Sequence, residues 1–181
     1  MRSILVKRSR LRPRVSEAVC CARGFTVIEL MIVVAILVIL IAIAGPDFRS
    51  MIAASRVKDA SFDVFSSLVH ARSEAITRNA TVRVCSNSGT NWAGGWTVTT
   101  DASCASITPA NKIRTQDTFT NITVTGAAAE VSFNGMGRAN TNASFTIDAA
   151  GVIERNKRCV VLDASGRPVT KPPVQTGFTC P

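Results

Sequence analysis

The sequence predicts an α+β chain, with one long amino-terminal helix followed by an antiparallel β domain. Three observations carry this. Residues 25–44 form an apolar run of 20 residues in which Glu29 is the one charged member. Apolar residues then recur at helical spacing to about Thr77. From Thr81 onward the pattern changes to short Thr/Val-rich segments punctuated by Gly, Asn, Asp and Pro, which is the signature of strands and turns.

The first element is a basic stretch. Residues 1–24 hold seven of the 21 Lys and Arg residues and one of the 12 acids, so they contribute +6 of the net +9 and leave +3 to the rest. Lys and Arg are retained on the cytoplasmic side of a membrane, which places this stretch inside and the bulk of the chain outside. The pI of about 10.0 is therefore a topology signal and does not indicate nucleic-acid binding.

The apolar run comes next. About 20 apolar residues suffice to span a bilayer as a helix. A carboxylate at mid-membrane costs about 2.5–3.5 kcal/mol, and less near the interface, so Glu29 requires a role or a partner. Gly45-Pro46 predicts a kink, because proline removes one helical hydrogen bond. Helical spacing then resumes through Phe62, Phe65, Val69 and Ile76, a stripe widened by Val64 and Leu68 and expected to pack on a globular head. The helix is expected to end near Asn79. The organisation expected is a leader at 1–24, a transmembrane helix at 25–46, an amphipathic helix at 47–79 and a β-rich head at 80–181.

Within the head, strands are predicted at Thr81–Cys85, Trp96–Thr100, Lys112–Thr115, Ile122–Thr125, Glu130–Asn134, Ser144–Asp148, Arg158–Asp163 and Arg167–Thr170. Asp163-Ala164-Ser165-Gly166 reads as a hairpin turn, and Gly135 and Gly137 mark another. The prolines of Lys171-Pro172-Pro173 cannot donate to a ladder, so this segment is expected at an edge.

Cys20 and Cys21 fall in the leader. Cys85, Cys104, Cys159 and Cys180 remain, an even number in an exported domain, which indicates two disulfides with three connectivities open. Pairing of sequence neighbours, Cys85–Cys104 and Cys159–Cys180, is favoured, and each pair closes a loop of about 20 residues worth about 3 kcal/mol. A four-cysteine zinc site is disfavoured because no pair has the short C-x2–4-C spacing.

Enzymatic function finds no support. His70 is the sole histidine and lies mid-helix. No serine sits in a nucleophile motif, no carboxylates are spaced as an acid/base pair, and there is no phosphate-binding loop. No cofactor is expected. Trp92 and Trp96 are the right type for a base-stacking platform, but the glycines between them and the strand that follows favour core packing.

The junction Arg23-Gly24-Phe25-Thr26-Val27-Ile28-Glu29-Leu30 resembles the processing site of type IV pilins and type II secretion pseudopilins. Within that group, Ala71-Arg72-Ser73-Glu74-Ala75, Thr81–Cys85, Trp92-Ala93-Gly94-Gly95-Trp96 and Asp163-Ala164-Ser165-Gly166-Arg167 resemble the FimT/FimU/GspH minor pilins and pseudopilins. The resemblance implies a type IV pilin fold, cleavage by a prepilin peptidase between Gly24 and Phe25, and N-methylation of Phe25. It implies that Glu29 pairs with the amino terminus of a neighbouring subunit. It also implies an inner-membrane precursor with a periplasmic head that joins major and minor pilins in a surface fibre, near its tip. Three alternatives remain: a GspH-like pseudopilin of type II secretion, a DNA-binding competence pilin and, last for want of a site, a membrane-anchored enzyme. For DNA the candidates are Arg155, Lys157, Arg158, Arg167 and Lys171, since a hairpin can set Arg158 beside Arg167. Competence pilins of the FimT type contact DNA through Gly-Arg-x-Arg. Here Gly166-Arg167-Pro168-Val169 keeps the first arginine and has valine in place of the second, with Lys171 two residues on.

Overall fold

The structure is a computed structural model that describes residues 24–153, 156–171 and 180, with the backbone alone at 44–47. The leader expected at residues 1–24, apart from Gly24, lies outside the described residues, as do Arg155 and Pro172-Pro173. The kink expected at Gly45-Pro46 falls where no side chains are described. The chain forms two compact units that divide between Ile41 and Ala42.

The helical assignment, α1, runs Val27–Arg78. Its start is capped by Thr26, whose Oγ1 accepts a hydrogen bond from the Glu29 N–H (3.3 Å) while its carbonyl accepts one from Leu30 (3.1 Å). Its end is set by Asn79, which takes a left-handed φ of 47° and lets the Ala80 N–H reach back to the Ala75 carbonyl (3.2 Å). That closure satisfies carbonyls the last turn leaves unpaired. No single helix among the described residues is long and apolar enough to cross a membrane, although Val27–Ile43 and Phe48–Arg78 together reach that length and composition.

Eight strands follow: β1 Val82–Ser86, β2 Trp96–Thr99, β3 Lys112–Gln116, β4 Thr123–Gly126, β5 Glu130–Phe133, β6 Ala143–Asp148, β7 Arg158–Leu162 and β8 Pro168–Lys171. They form two antiparallel four-stranded sheets, ordered β3-β2-β1-β5 and β4-β6-β7-β8. The fold is α+β as expected, with the strands divided between two sheets instead of one.

The second unit has one core. Val57, Ala60, Val64, Leu68, Ala71 and Ala75 of α1 are buried with Val82, Val84, Val131 and Phe133 of the first sheet and Val124, Phe145, Ile147, Val160 and Leu162 of the second. β6 alternates buried and half-buried residues along its length, as a strand with one core face should. Trp92 lies at the centre, 4.8 Å from Phe145 edge-on and 5.9 Å from Trp96, and its Nε1–H donates to the Ala128 carbonyl (2.9 Å). Both tryptophans are core residues and cannot stack on bases.

Candidate functional site

The first surface of interest is the start of α1. Every large apolar side chain from Phe25 to Ile43 is at least half exposed. A helix that is apolar all round is stable in water only when something else covers it. Burying each such Val, Leu or Ile stabilises by about 1.5–3 kcal/mol, so covering this stretch is worth tens of kcal/mol in gross terms. Glu29 is exposed in the first turn, where its charge also complements the helix dipole. The Thr26 hydroxyl caps the helix by accepting from the Glu29 N–H, a local role that the apolar pattern hid from sequence reading.

The second surface is the outer face of α1. The stripe Phe62, Val69 and Ile76 was expected to face the core, but the structure turns it outward: Phe62 is 66% exposed and Ile76 49%. The residues that touch the sheets are Ala60, Ala71 and Ala75 with Val57, Val64 and Leu68, while Phe65 is half-buried. Small side chains let the helix lie close against two sheets that supply the bulky partners. The larger apolar residues, spaced seven apart, are left on the far side. They give α1 a second apolar stripe that the sheets leave largely uncovered.

The third candidate is the basic set. The β7–β8 register pairs Leu162 with Pro168 and Cys159 with Lys171. Arg158 and Arg167 therefore lie at opposite ends of the hairpin, about 15 Å apart along the strands. The expected juxtaposition does not occur, because an antiparallel hairpin brings together only residues equidistant from its turn. The Lys157 ammonium pairs with Asp148 at 3.0 Å, and Arg158 is half-buried and donates to the Lys157 carbonyl. Arg167 and Lys171 are exposed on the edge of the second sheet. The carboxylate of Asp163 accepts from Ser165, which holds its pKa below the ordinary value, and the nearby charge of Arg167 acts in the same direction.

The turn that carries Arg167 has a structural function. Gly166 has φ of 77° and packs directly on the Gly137 carbonyl, which itself accepts from Arg72 Nε (2.9 Å). The Asp163–Gly166 turn, the Gly135–Gly137 turn and α1 thus meet at one joint. Sequence reading placed both turns and missed that they touch.

Cys85 is bonded to Cys104 and Cys159 to Cys180, with Cα separations of 5.5 and 5.9 Å. Cys85, Cys104 and Glu130 lie close enough together to hold a metal ion. The two sulfurs are bonded to each other, which removes the thiolates a metal would need. His70 sits one helical turn from Glu74 (4.0 Å), and Glu74 also accepts from Arg78 Nε at 2.7 Å. No nucleophile accompanies His70 among these groups.

With this geometry in view, residues 61–166 match the family model described as Type II transport protein GspH, and residues 20–45 match the prokaryotic N-terminal methylation motif. No curated protein matches the chain. Two crystal structures of the type IV minor pilin FimU of Pseudomonas aeruginosa (strain PAO1) are similar in fold. The P21 form is 20% identical, with a TM-score of 0.58, and the match covers 65% of this chain and 90% of that one. The P65 form is 22% identical, with a TM-score of 0.56, over 64% and 92%.

Proposed function

The chain belongs to the GspH family of minor type IV pilins and pseudopilins, and on that premise we propose that it is a FimU-like minor pilin, a structural subunit added near the tip of a pilus. The carrying observation is the exposed apolar helix from Phe25 with one carboxylate in its first turn. Such a helix can rest in lipid before assembly and among other helices after it. In this reading a prepilin peptidase cuts after Gly24 in the inner membrane, Phe25 is methylated, and the head remains periplasmic until the subunit joins the surface fibre. Residues 25–46 anchor the chain, 47–79 continue the helix and 80–181 form the head. Glu29 then meets the amino group of a neighbour's terminal residue. Opposite charges 4 Å apart attract by about 4 kcal/mol at an effective dielectric near 20. The stripe Phe62, Val69 and Ile76 extends the helix-packing surface beyond the membrane. Head-to-tail contacts of this kind generate open helical fibres.

A second reading, a minor pseudopilin of a type II secretion system, is favoured by the description of the matched family itself. DNA capture has less support, because the described basic residues do not converge.

Intact-mass spectrometry of the protein from its native membrane should show a chain that begins at a methylated Phe25. A different start would overturn the scheme. Glu29→Gln retains the capping hydrogen bond to Thr26 and removes the charge. The variant should be processed normally yet be depleted at least tenfold from sheared fibres. Normal recovery would remove Glu29 from assembly. Purification of the partner fibre, by pilus shear or by co-isolation with the secretion apparatus, separates the two readings.

A further inference from the structure

In the second unit α1, the segment leading into β4 and the turn after β6 line an open cleft of about 540 Å³, with Arg49, Ile52, Ala53, Arg56, Asn121, Ile122, Thr123 and Ala150 on its walls. Arg49 and Arg56 are seven residues apart and so share one helix face. Among the described residues the lining holds two arginines, one asparagine and one threonine, and no Asp or Glu. Among the described residues neither arginine is in an ion pair. Asn121, in the lining, has a left-handed φ of 60°. Arginine presents a planar fork of donors matched to phosphate oxygens and cannot shed its charge.

On other faces of the same stretch of α1, outside the cleft lining, two large apolar side chains are exposed: Phe48 at 64% and Met51 at 71%. A helix that offers cations on one face and large apolar residues on another is built for the boundary between lipid headgroups and acyl chains. Arg49 follows the end of the apolar run at Ala44 by five residues. Even fully extended, five residues reach less than about 18 Å, so the cleft cannot lie far from the surface of a membrane that holds the run.

We propose that this cleft binds the phosphate of an anionic lipid headgroup while the subunit waits in the membrane. The inference rests on the membrane-anchored reading above and adds a ligand and a site to it. Each basic residue near an anionic surface contributes about fivefold to binding.

The test uses the full chain in detergent micelles, titrated with short-chain phosphatidylglycerol, short-chain phosphatidylcholine and inorganic phosphate, with native mass spectrometry as the readout. Saturable one-to-one binding of phosphatidylglycerol is expected, tighter than of the other two. It should weaken at least tenfold in Arg49→Gln/Arg56→Gln and remain unchanged in Lys112→Gln, an exposed control on β3. Absence of saturable binding, or equal binding by the double variant, overturns the proposal. Equal affinity for inorganic phosphate assigns the cleft to a free anion and overturns the lipid assignment. Loss of fibre incorporation by the double variant without any lipid binding in wild type transfers the arginines to a neighbouring subunit's carboxylate, and also overturns it. Flotation of the wild-type chain with vesicles checks membrane insertion separately. Failure there counts against the anchored reading, whereas insertion without phosphatidylglycerol binding counts against the cleft alone.

Discussion

Gly166 packs its Cα against the carbonyl oxygen of Gly137, so closely that no side chain fits between the two turns. This one relationship joins the β7–β8 hairpin to the turn that follows β5 and, through Arg72, to α1. Two constraints coincide at Gly166, a positive φ of 77° and a backbone neighbour that cannot move aside. Gly166→Ala is expected to destabilise by about 2–4 kcal/mol. Gly151 has φ of 80° and open space around it, so Gly151→Ala should cost only about 1 kcal/mol. Urea denaturation of the two variants checks the difference, which isolates the packing of the joint from backbone strain.

Trp92 and Trp96 are equally buried but differently bonded. The Trp92 indole N–H reaches the Ala128 carbonyl, whereas that of Trp96 has no partner among the described residues. Replacement by Phe therefore removes a hydrogen bond, and leaves the half-buried Ala128 carbonyl without its donor, only at position 92. Trp92→Phe should be the more destabilising by about 1–2 kcal/mol. Parallel thermal melts would show it, and equal losses would mean that the hydrogen bond adds nothing to the packing.

Asp101 organises the loop between β2 and β3. It accepts from the Asn111 side chain, the Thr108 N–H and hydroxyl, and the Thr99 hydroxyl. These bonds, that from Asn111 foremost, hold its pKa below the ordinary carboxylate value. A carboxyl depressed in the folded state adds stability above its unfolded pKa and loses it as pH falls through the folded one. Protection of the Thr108 amide against hydrogen exchange should therefore be flat from neutral pH down to about 4 and decline below that. Asp101→Ala should abolish the protection at every pH.

Asp63 behaves oppositely. Burial on α1 raises its pKa, with the charge of Asp59 acting in the same direction and that of Arg114 partly offsetting both. A raised carboxyl makes the charged form unfavourable in the folded state; the penalty is full above the folded pKa and is relieved as pH falls through it toward the unfolded pKa. Asp63→Asn should raise the denaturation midpoint slightly at pH 7, and the gain should vanish near pH 3. A gain that persists in acid would point to a packing effect instead of charge.

Much of the chain was legible without coordinates. The strands begin and end within about one residue of the segments read from Thr/Val enrichment and turn residues. The helix was placed from Phe25 to about Thr77 and is assigned Val27–Arg78. Those features are local: side-chain period, capping residues and glycines at positive φ act over a few neighbours, so the sequence alone determined them. The same holds for the 20-residue apolar run and its one carboxylate.

What only the tertiary structure decided is which surface faces which. α1 carries two apolar stripes, and its own periodicity does not say which of them a sheet will cover. The stripe containing Ala60, Ala71 and Ala75 went inward because close approach to two sheets favours small side chains, which left Phe62 and Ile76 outside. Register set Arg158 and Arg167 at opposite ends of a hairpin. Gly137 and Gly166 meet across a long stretch of chain that no local pattern spans. Burial and juxtaposition depend on the partner across the core, and that partner is chosen by the packing of the whole head.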